Sequence, residues 1–139
     1  MQFAQICDRV EADAAAGASP ADVSALPGLW LNSNPETSGI ARMVMSEAGG
    51  RLSLQVYAVA PDGLVDWGTA DVEVFSSSPS SRAAAGFVCR YDFGFAEALL
   101  QAMLLKGLMV LAQTHTFKDG SGRVDYFVRE YFALAHGRY

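Results

Sequence analysis

The stretch from Gly39 to Ala60, GIARMVMSEAGGRLSLQVYAVA, constrains the fold of this chain more than any other. Two runs that alternate apolar and polar residues flank Gly49-Gly50, and alternation with period two marks a half-buried strand. The glycine pair supplies the positive φ angles that a two-residue hairpin turn needs. With the turn placed there, Met45 faces Leu54, Met43 faces Val56 and Ala41 faces Ala58, so one face of the hairpin is wholly apolar. The other face pairs Ser46 with Ser53, Val44 with Gln55 and Arg42 with Tyr57, a mixed and partly solvated surface. A slip of one residue would scramble both faces, which specifies the register.

The same pattern recurs along the chain and predicts strands at 28–33, 39–48, 51–60, 65–75, 86–94, 95–105, 108–117 and 123–133, with breaks at Pro61-Asp62-Gly63, the Ser-rich loop after Phe75, and Lys118 to Gly122. The contested segment is Phe95 to Leu105, FAEALLQAMLL. Its Ala, Leu, Glu, Gln and Met content favours helix by intrinsic propensity, and Gly107 suits a helix end. Phe95, Glu97, Leu99, Gln101, Met103 and Leu105 nevertheless alternate with Ala and Leu, and Lys106-Gly107 makes a tight reversal. Tertiary context overrides propensity, so we read a strand; a helix there would replace the closed barrel by an α+β cone. The turn at Lys106-Gly107 sets Leu99 opposite Thr114, Glu97 opposite Thr116, Leu100 opposite Gln113 and Ala98 opposite His115. Without helices for parallel crossovers, the expected fold is mainly β. It is an eight-stranded antiparallel up-and-down barrel over 28–133, a closure that removes exposed edges and leaves room for one small ligand.

Ahead of the barrel, Phe3, Ile6, Cys7, Val10 and Ala14 recur at helical spacing and predict an amphipathic α-helix over 1–17. A short helical turn is expected at Ser19-Pro20-Ala21-Asp22, ended by Pro27-Gly28. The whole of 1–139 reads as a single domain. Both faces of the Lys106-Gly107 hairpin are largely apolar near the turn, so the outer one is expected to be covered by the N-terminal helix or by a second subunit in a homodimer.

Composition narrows the functional classes. With 51% hydrophobic and 18% charged residues the chain is expected to fold throughout. A net charge of −5 without a Lys/Arg cluster opposes nucleic acid as a partner. Asp8, Arg9, Glu11 and Asp13 interrupt the N-terminus where a secretion signal needs an apolar run, and no stretch has the roughly 20 apolar residues of a membrane span. A cytoplasmic protein without a membrane partner is expected. Cys7 and Cys89 are far apart, and His115 and His136 belong to no HxH or HExxH pattern, so neither metal nor other cofactor is expected. Gly120-Ser121-Gly122 precedes no helix and the Ser-rich loop lacks a Gly-x-Ser-x-Gly elbow, which leaves no phosphate cradle and no hydrolase signal.

Candidate chemistry rests on scattered groups. Among Glu97, Asp92, Asp66, Asp71, Asp125 and His115, the carboxyl of Glu97 between Phe95, Leu99 and Leu100 is the best placed to have a raised pKa, unless it points outward or meets an Arg. His115, in QTHTF with Gln113 on the same side, is the second acid/base candidate, against the alternative of an ordinary barrel-wall histidine. Met43, Met45, Leu54 and Val56 either line a ligand cavity or fill a core. Tyr57, Trp67, Gln101, Tyr126 and Arg129 are the aromatic and polar handles such a cavity would use. Cys89, between Phe87 and Tyr91, reads as a buried thiol.

Gly28-Leu29-Trp30, at the start of the first strand, resembles the Gly-x-Trp signature of lipocalins and the wider calycin group. The resemblance implies an up-and-down barrel that binds a small apolar molecule, with Trp30 closing the barrel floor and a late Arg, Arg129 or Arg123, packing over it. Some small cofactor-free cyclases of bacterial polyketide and related pathways also use lipocalin-like barrels. Three expectations follow: a binder of a small hydrophobic molecule, a cofactor-free cyclase or isomerase working inside the barrel, and a dimeric structural or interaction protein with a solid core.

Overall fold

The structure, a computed structural model, describes residues 21–135. Its strands are β1 (Gly28–Asn32), β2 (Ile40–Ala48), β3 (Arg51–Ala60), β4 (Gly63–Ser76), β5 (Ala84–Asp92), β6 (Ala96–Leu105), β7 (Leu108–Phe117) and β8 (Tyr126–Leu134). Each pairs antiparallel with its sequence neighbour, and β8 returns to β1 through Trp30 opposite Leu134 and Asn32 opposite Phe132, which closes the barrel. The chain is thus mainly β with up-and-down order.

Phe95 to Leu105 is strand from Ala96 onward, in the expected register against β7. Alternation prevails over helix propensity because Ala96, Ala98 and Leu100 reach the interior while Glu97 and Gln101 reach water. The reversal that follows puts both Lys106 (φ 52°) and Gly107 (φ 85°) in the left-handed region, as a hairpin turn matching the strand twist requires. Gly49-Gly50 forms the same kind of turn, and Met45–Leu54, Met43–Val56, Val44–Gln55, Ser46–Ser53 and Arg42–Tyr57 pair as the sequence pattern requires. Ala41 does not face Ala58. It is the extra residue of a bulge, and Ile40 takes the place opposite Ala58, buried at 1% exposure where Ala41 would have left a smaller side chain.

The expected helix over 1–17 lies outside the described residues, as do Ser19 and Pro20. Ala21 and Asp22 are not helical: Asp22 bridges Ala83 in parallel, its N–H donating to Arg82 O (2.6 Å) and its carbonyl accepting from Ala84 N (2.8 Å). No helix is present among the described residues. In an eight-stranded ring β1 and β5 are diametrically opposite, so the residues from Asp22, tied to the start of β5, to Gly28, the start of β1, must cross the end of the barrel. A turn closed by Leu26 N to Val23 O (2.9 Å) drops the fully buried Leu26 into that end, and Trp30 Nε1 donates to the Leu26 carbonyl at 2.8 Å.

Above this floor the interior is filled. Met43, Met45, Leu54 and Val56 join Phe87, Leu100, Met109, Leu111 and Phe132 in one cluster, each at most 2% exposed. Methionine adapts to irregular gaps, and the tapering side chains of eight strands suffice to fill this half of a small barrel. Cys89 belongs to the cluster, and its burial pushes the thiol up to about 11. The outer wall of β6 to β8 carries Met103, Leu105, Leu108 and Tyr131, all more than two fifths exposed.

Candidate functional site

The end opposite the floor is open, and the side chains that ring it come from strand positions continuing the inward face. On β4 the inward sequence is interrupted by Gly68, whose φ of 83° makes a bulge, so that Trp67 and Ala70, three residues apart, both turn inward. The Asp66 carboxylate accepts from Gly68 N at 2.7 Å, and the hydroxyl of Tyr91 is shared between Leu54 O (2.8 Å) and Gly68 O (2.9 Å). This brace aims Trp67 across the mouth. Its ring meets Tyr91, Phe93 and His115 edge to face at centroid distances of 5.4, 5.0 and 6.2 Å. His115, from β7, stacks on Tyr126 from β8 at 4.4 Å, nearly parallel. Farther round the rim, the Arg123 guanidinium covers the Phe117 ring at 4.3 Å.

Below the aromatic rim lies one carboxylate, Glu130. Inward on β8 with Tyr126, Val128 and Phe132, it accepts from Asn32 Nδ2 (2.6 Å), Thr37 Oγ1 (2.5 Å), Ile40 N (3.2 Å) and Gln113 Nε2 (2.8 Å). Burial raises its pKa, but the hydrogen bonds from Thr37, Gln113, Ile40 and Asn32 together outweigh burial and hold it below the usual glutamate value, so it is ionised at neutral pH. The loop between β1 and β2 is thereby tied to β8. Gly39 is the residue this approach requires, because a Cβ there would lie 2.6 Å from Glu130 Oε1.

An ionised carboxylate only accepts hydrogen bonds, so the Gln113 amide must turn its NH2 toward Glu130 and its Oε1 the other way. That oxygen lies 3.0 Å from His115 Nε2, which must therefore carry the imidazole proton. The chain Glu130–Gln113–His115 fixes one tautomer and leaves the lone pair on Nδ1. Burial lowers the pKa of His115, opposed by the charge of Glu130, and the ring is neutral at pH 7. Among the described residues Nδ1 has no hydrogen-bond partner, and no buried side-chain nitrogen or oxygen is without one, so Nδ1 is open to solvent. Around it is a cleft of about 810 Å³, bounded among others by Asn34, Glu36 to Ile40, Ala58, Trp67, Gln113, His115, Tyr126, Arg129 and Glu130, and joined at Trp67, His115 and Tyr126 to a second hollow of about 380 Å³ under Phe93, Phe95 and Phe117.

Of the residues singled out from sequence, the mouth brings together His115, Trp67 and Tyr126, with Arg129 at the edge of the same cleft. Met43, Met45, Leu54 and Val56 are in the packed half and do not line the cleft. Glu97 points outward from β6 into an ion pair with Lys118 (3.1 Å), and it is not in an apolar place. Gln101, on the same outward face of β6, and Tyr57, under the guanidinium of Arg42 (4.8 Å), are outside the barrel as well. Arg129 is exposed on β8 and borders the cleft at its edge, and Arg123 is at the mouth beside Phe117. Neither covers Trp30, whose polar partner is Leu26 at the far end. Glu130 and Asn32 were not singled out, although Tyr126, Val128, Glu130 and Phe132 alternate: a lone carboxylate on a strand's apolar face is a signal of a built polar site. No protein-family model, curated protein or solved structure matches the chain.

Proposed function

We propose that the chain binds a small, flat, largely apolar molecule in the mouth of the barrel. The observation that carries this reading is the aromatic ring of Trp67, Tyr126, Phe93 and Phe117 around His115, open to a cleft of a volume typical for a drug-sized ligand. Flat aromatic walls reward flat ligands through stacking and edge-to-face contact. The Gly28-Leu29-Trp30 resemblance to calycins supports the same reading, with Trp30 serving the floor and not the ligand. The test is a protein-observed NMR titration with 2-methoxynaphthalene. Shifts concentrated at Trp67, His115 and Tyr126 support the proposal; absence of saturable shifts there refutes it.

The fixed tautomer of His115 favours a second reading, a cofactor-free isomerase or cyclase in which Nδ1 removes a proton from carbon and returns it elsewhere on the substrate. A neutral imidazole oriented by a carboxylate through an amide suits general-base work. Exchange of the α-protons of 2-tetralone in D2O tests it: catalysis by the wild type that His115→Phe abolishes supports this reading, and equal exchange with and without protein refutes it.

A further inference from the structure

We infer that the cleft selects flat apolar molecules carrying an acidic O–H, a phenol or an enol, over otherwise identical molecules that can only accept hydrogen bonds. The inference deepens the binding reading above and rests on it. Its ground is polarity. Around Glu130 the donors are already engaged: Asn32 Nδ2, Thr37 Oγ1, Ile40 N and Gln113 Nε2 all serve the carboxylate, and His115 Nε2 serves Gln113. Trp30 donates to the floor and Tyr91 to the β3 and β4 backbones, so neither hydroxyl nor indole from the deeper wall is offered to a ligand. What the inner wall presents instead is an acceptor, the lone pair of His115 Nδ1, flanked by the faces of Tyr126 and the edge of Trp67. A ligand hydroxyl that donates to Nδ1 satisfies it while the ring system lies against the aromatic rim. A ligand with an ether or ketone at that position places two lone pairs against each other and leaves Nδ1 desolvated without a partner.

The arrangement is stable in direction because it begins at a charge. The carboxylate orients the amide and the amide orients the imidazole, so in the neutral ring a swap of tautomer at Nδ1 would require all three to change. The discrimination is therefore local to Nδ1, which accepts and does not donate, in the way a polar group rejects an analogue that cannot pair with it. The Trp67 indole N–H and the Tyr126 hydroxyl, farther out on the rim, have no hydrogen-bond partner among the described residues.

The experiment compares 2-naphthol with 2-methoxynaphthalene, which share one apolar body. By NMR titration of the full chain, 2-naphthol is expected to bind on the order of tenfold more tightly, the effect of one satisfied hydrogen bond. In His115→Phe, which keeps an aromatic ring and removes the acceptor, the ratio of the two affinities should fall from about tenfold to about one. A measurement independent of any variant is the long-range 1H–15N spectrum of the histidines. His115 should show a protonated Nε2 and an unprotonated Nδ1, and only 2-naphthol should shift the Nδ1 resonance upfield. Equal affinities of the wild type for both probes, or a protonated Nδ1 at neutral pH, overturn the selectivity and leave the binding reading intact. Failure of both probes to bind the cleft overturns the two together.

Discussion

Replacing Glu130 by Ala isolates the polar group on which the mouth is built. Four donors lose their acceptor, but they do not lose equally. Asn32 Nδ2 keeps Ile40 O at 2.8 Å, and Thr37 Oγ1 still accepts from Gly39 N at 3.0 Å and its hydroxyl is free to rotate. Ile40 N and Gln113 Nε2 are left without a partner, and Gln113 is only 2% exposed, so water does not easily replace the carboxylate. At about 1–3 kcal/mol for each buried donor left unsatisfied, Glu130→Ala is expected to destabilise by about 4 kcal/mol. Glu130→Gln retains the shape and can turn its NH2 toward Thr37, whose hydroxyl then accepts, at the loss of the Asn32 contact; about 1–2 kcal/mol is expected. Urea unfolding followed by tryptophan fluorescence measures both. The sign with pH is fixed. The folded-state pKa of Glu130 lies below the unfolded value, so its contribution is complete above the ordinary glutamate range and is lost as the pH falls through the folded value. In acid the gap between wild type and Glu130→Gln should therefore narrow. A loss below 1 kcal/mol for Glu130→Ala at pH 7, or a gap that widens in acid, would refute the assignment of Glu130 as the anchor.

Trp30→Ala, which empties a large buried site and frees the Leu26 carbonyl, should cost about 3–5 kcal/mol in the same assay and leave probe affinity at the mouth unchanged. Gly86→Ala places a Cβ 2.2 Å from the Ala102 carbonyl oxygen, a backbone atom, and is expected to destabilise by about 1–3 kcal/mol or more; a neutral result would mean that β5 and β6 separate freely. Lys106 holds a φ of 52°, so Lys106→Asn should raise stability by about 0.5–1 kcal/mol, read as a higher urea midpoint. In a Cys7→Ser background, Cys89, with its thiol pushed up to about 11, should react with a disulfide reagent at pH 8 only as fast as the protein unfolds, and immediate labelling would contradict its burial.

The strands were legible because each carries its own alternation and each turn its own glycine or proline, so the hairpins at Gly49-Gly50 and Lys106-Gly107 could be paired residue by residue. Bulges were not legible. The one at Ala41 and the one at Gly68 each shift a strand by one position, and nothing local announces them except a glycine in the second case. The site suffered most from this. Alternation correctly groups His115 with Gln113 and Tyr126 with Glu130, but which face turns inward is decided by the neighbours. Of the apolar company of Glu97 in sequence, Leu99 shares its outward face and Phe95 turns to the hollow at the rim, so proximity along the chain suggests a burial that the sheet does not give. The packed face and the hollow mouth lie on one continuous inward alternation of the same strands; closure by Leu26 at one end distinguishes them.

That separation divides the labour within a single sheet. Most of the fully buried side chains are packed above Leu26 and Trp30, and those that line the open cleft stand at the opposite rim, on the same strands but a few residues farther along. On the binding reading, a substitution at Tyr126, which is not part of the buried core, alters what is recognised, whereas Trp67 and Phe93 pack against that core and couple recognition to stability. A lineage built on this plan can exchange one specificity for another by small steps, as long as Glu130 and its donors stay in place to keep the rim attached to its foundation.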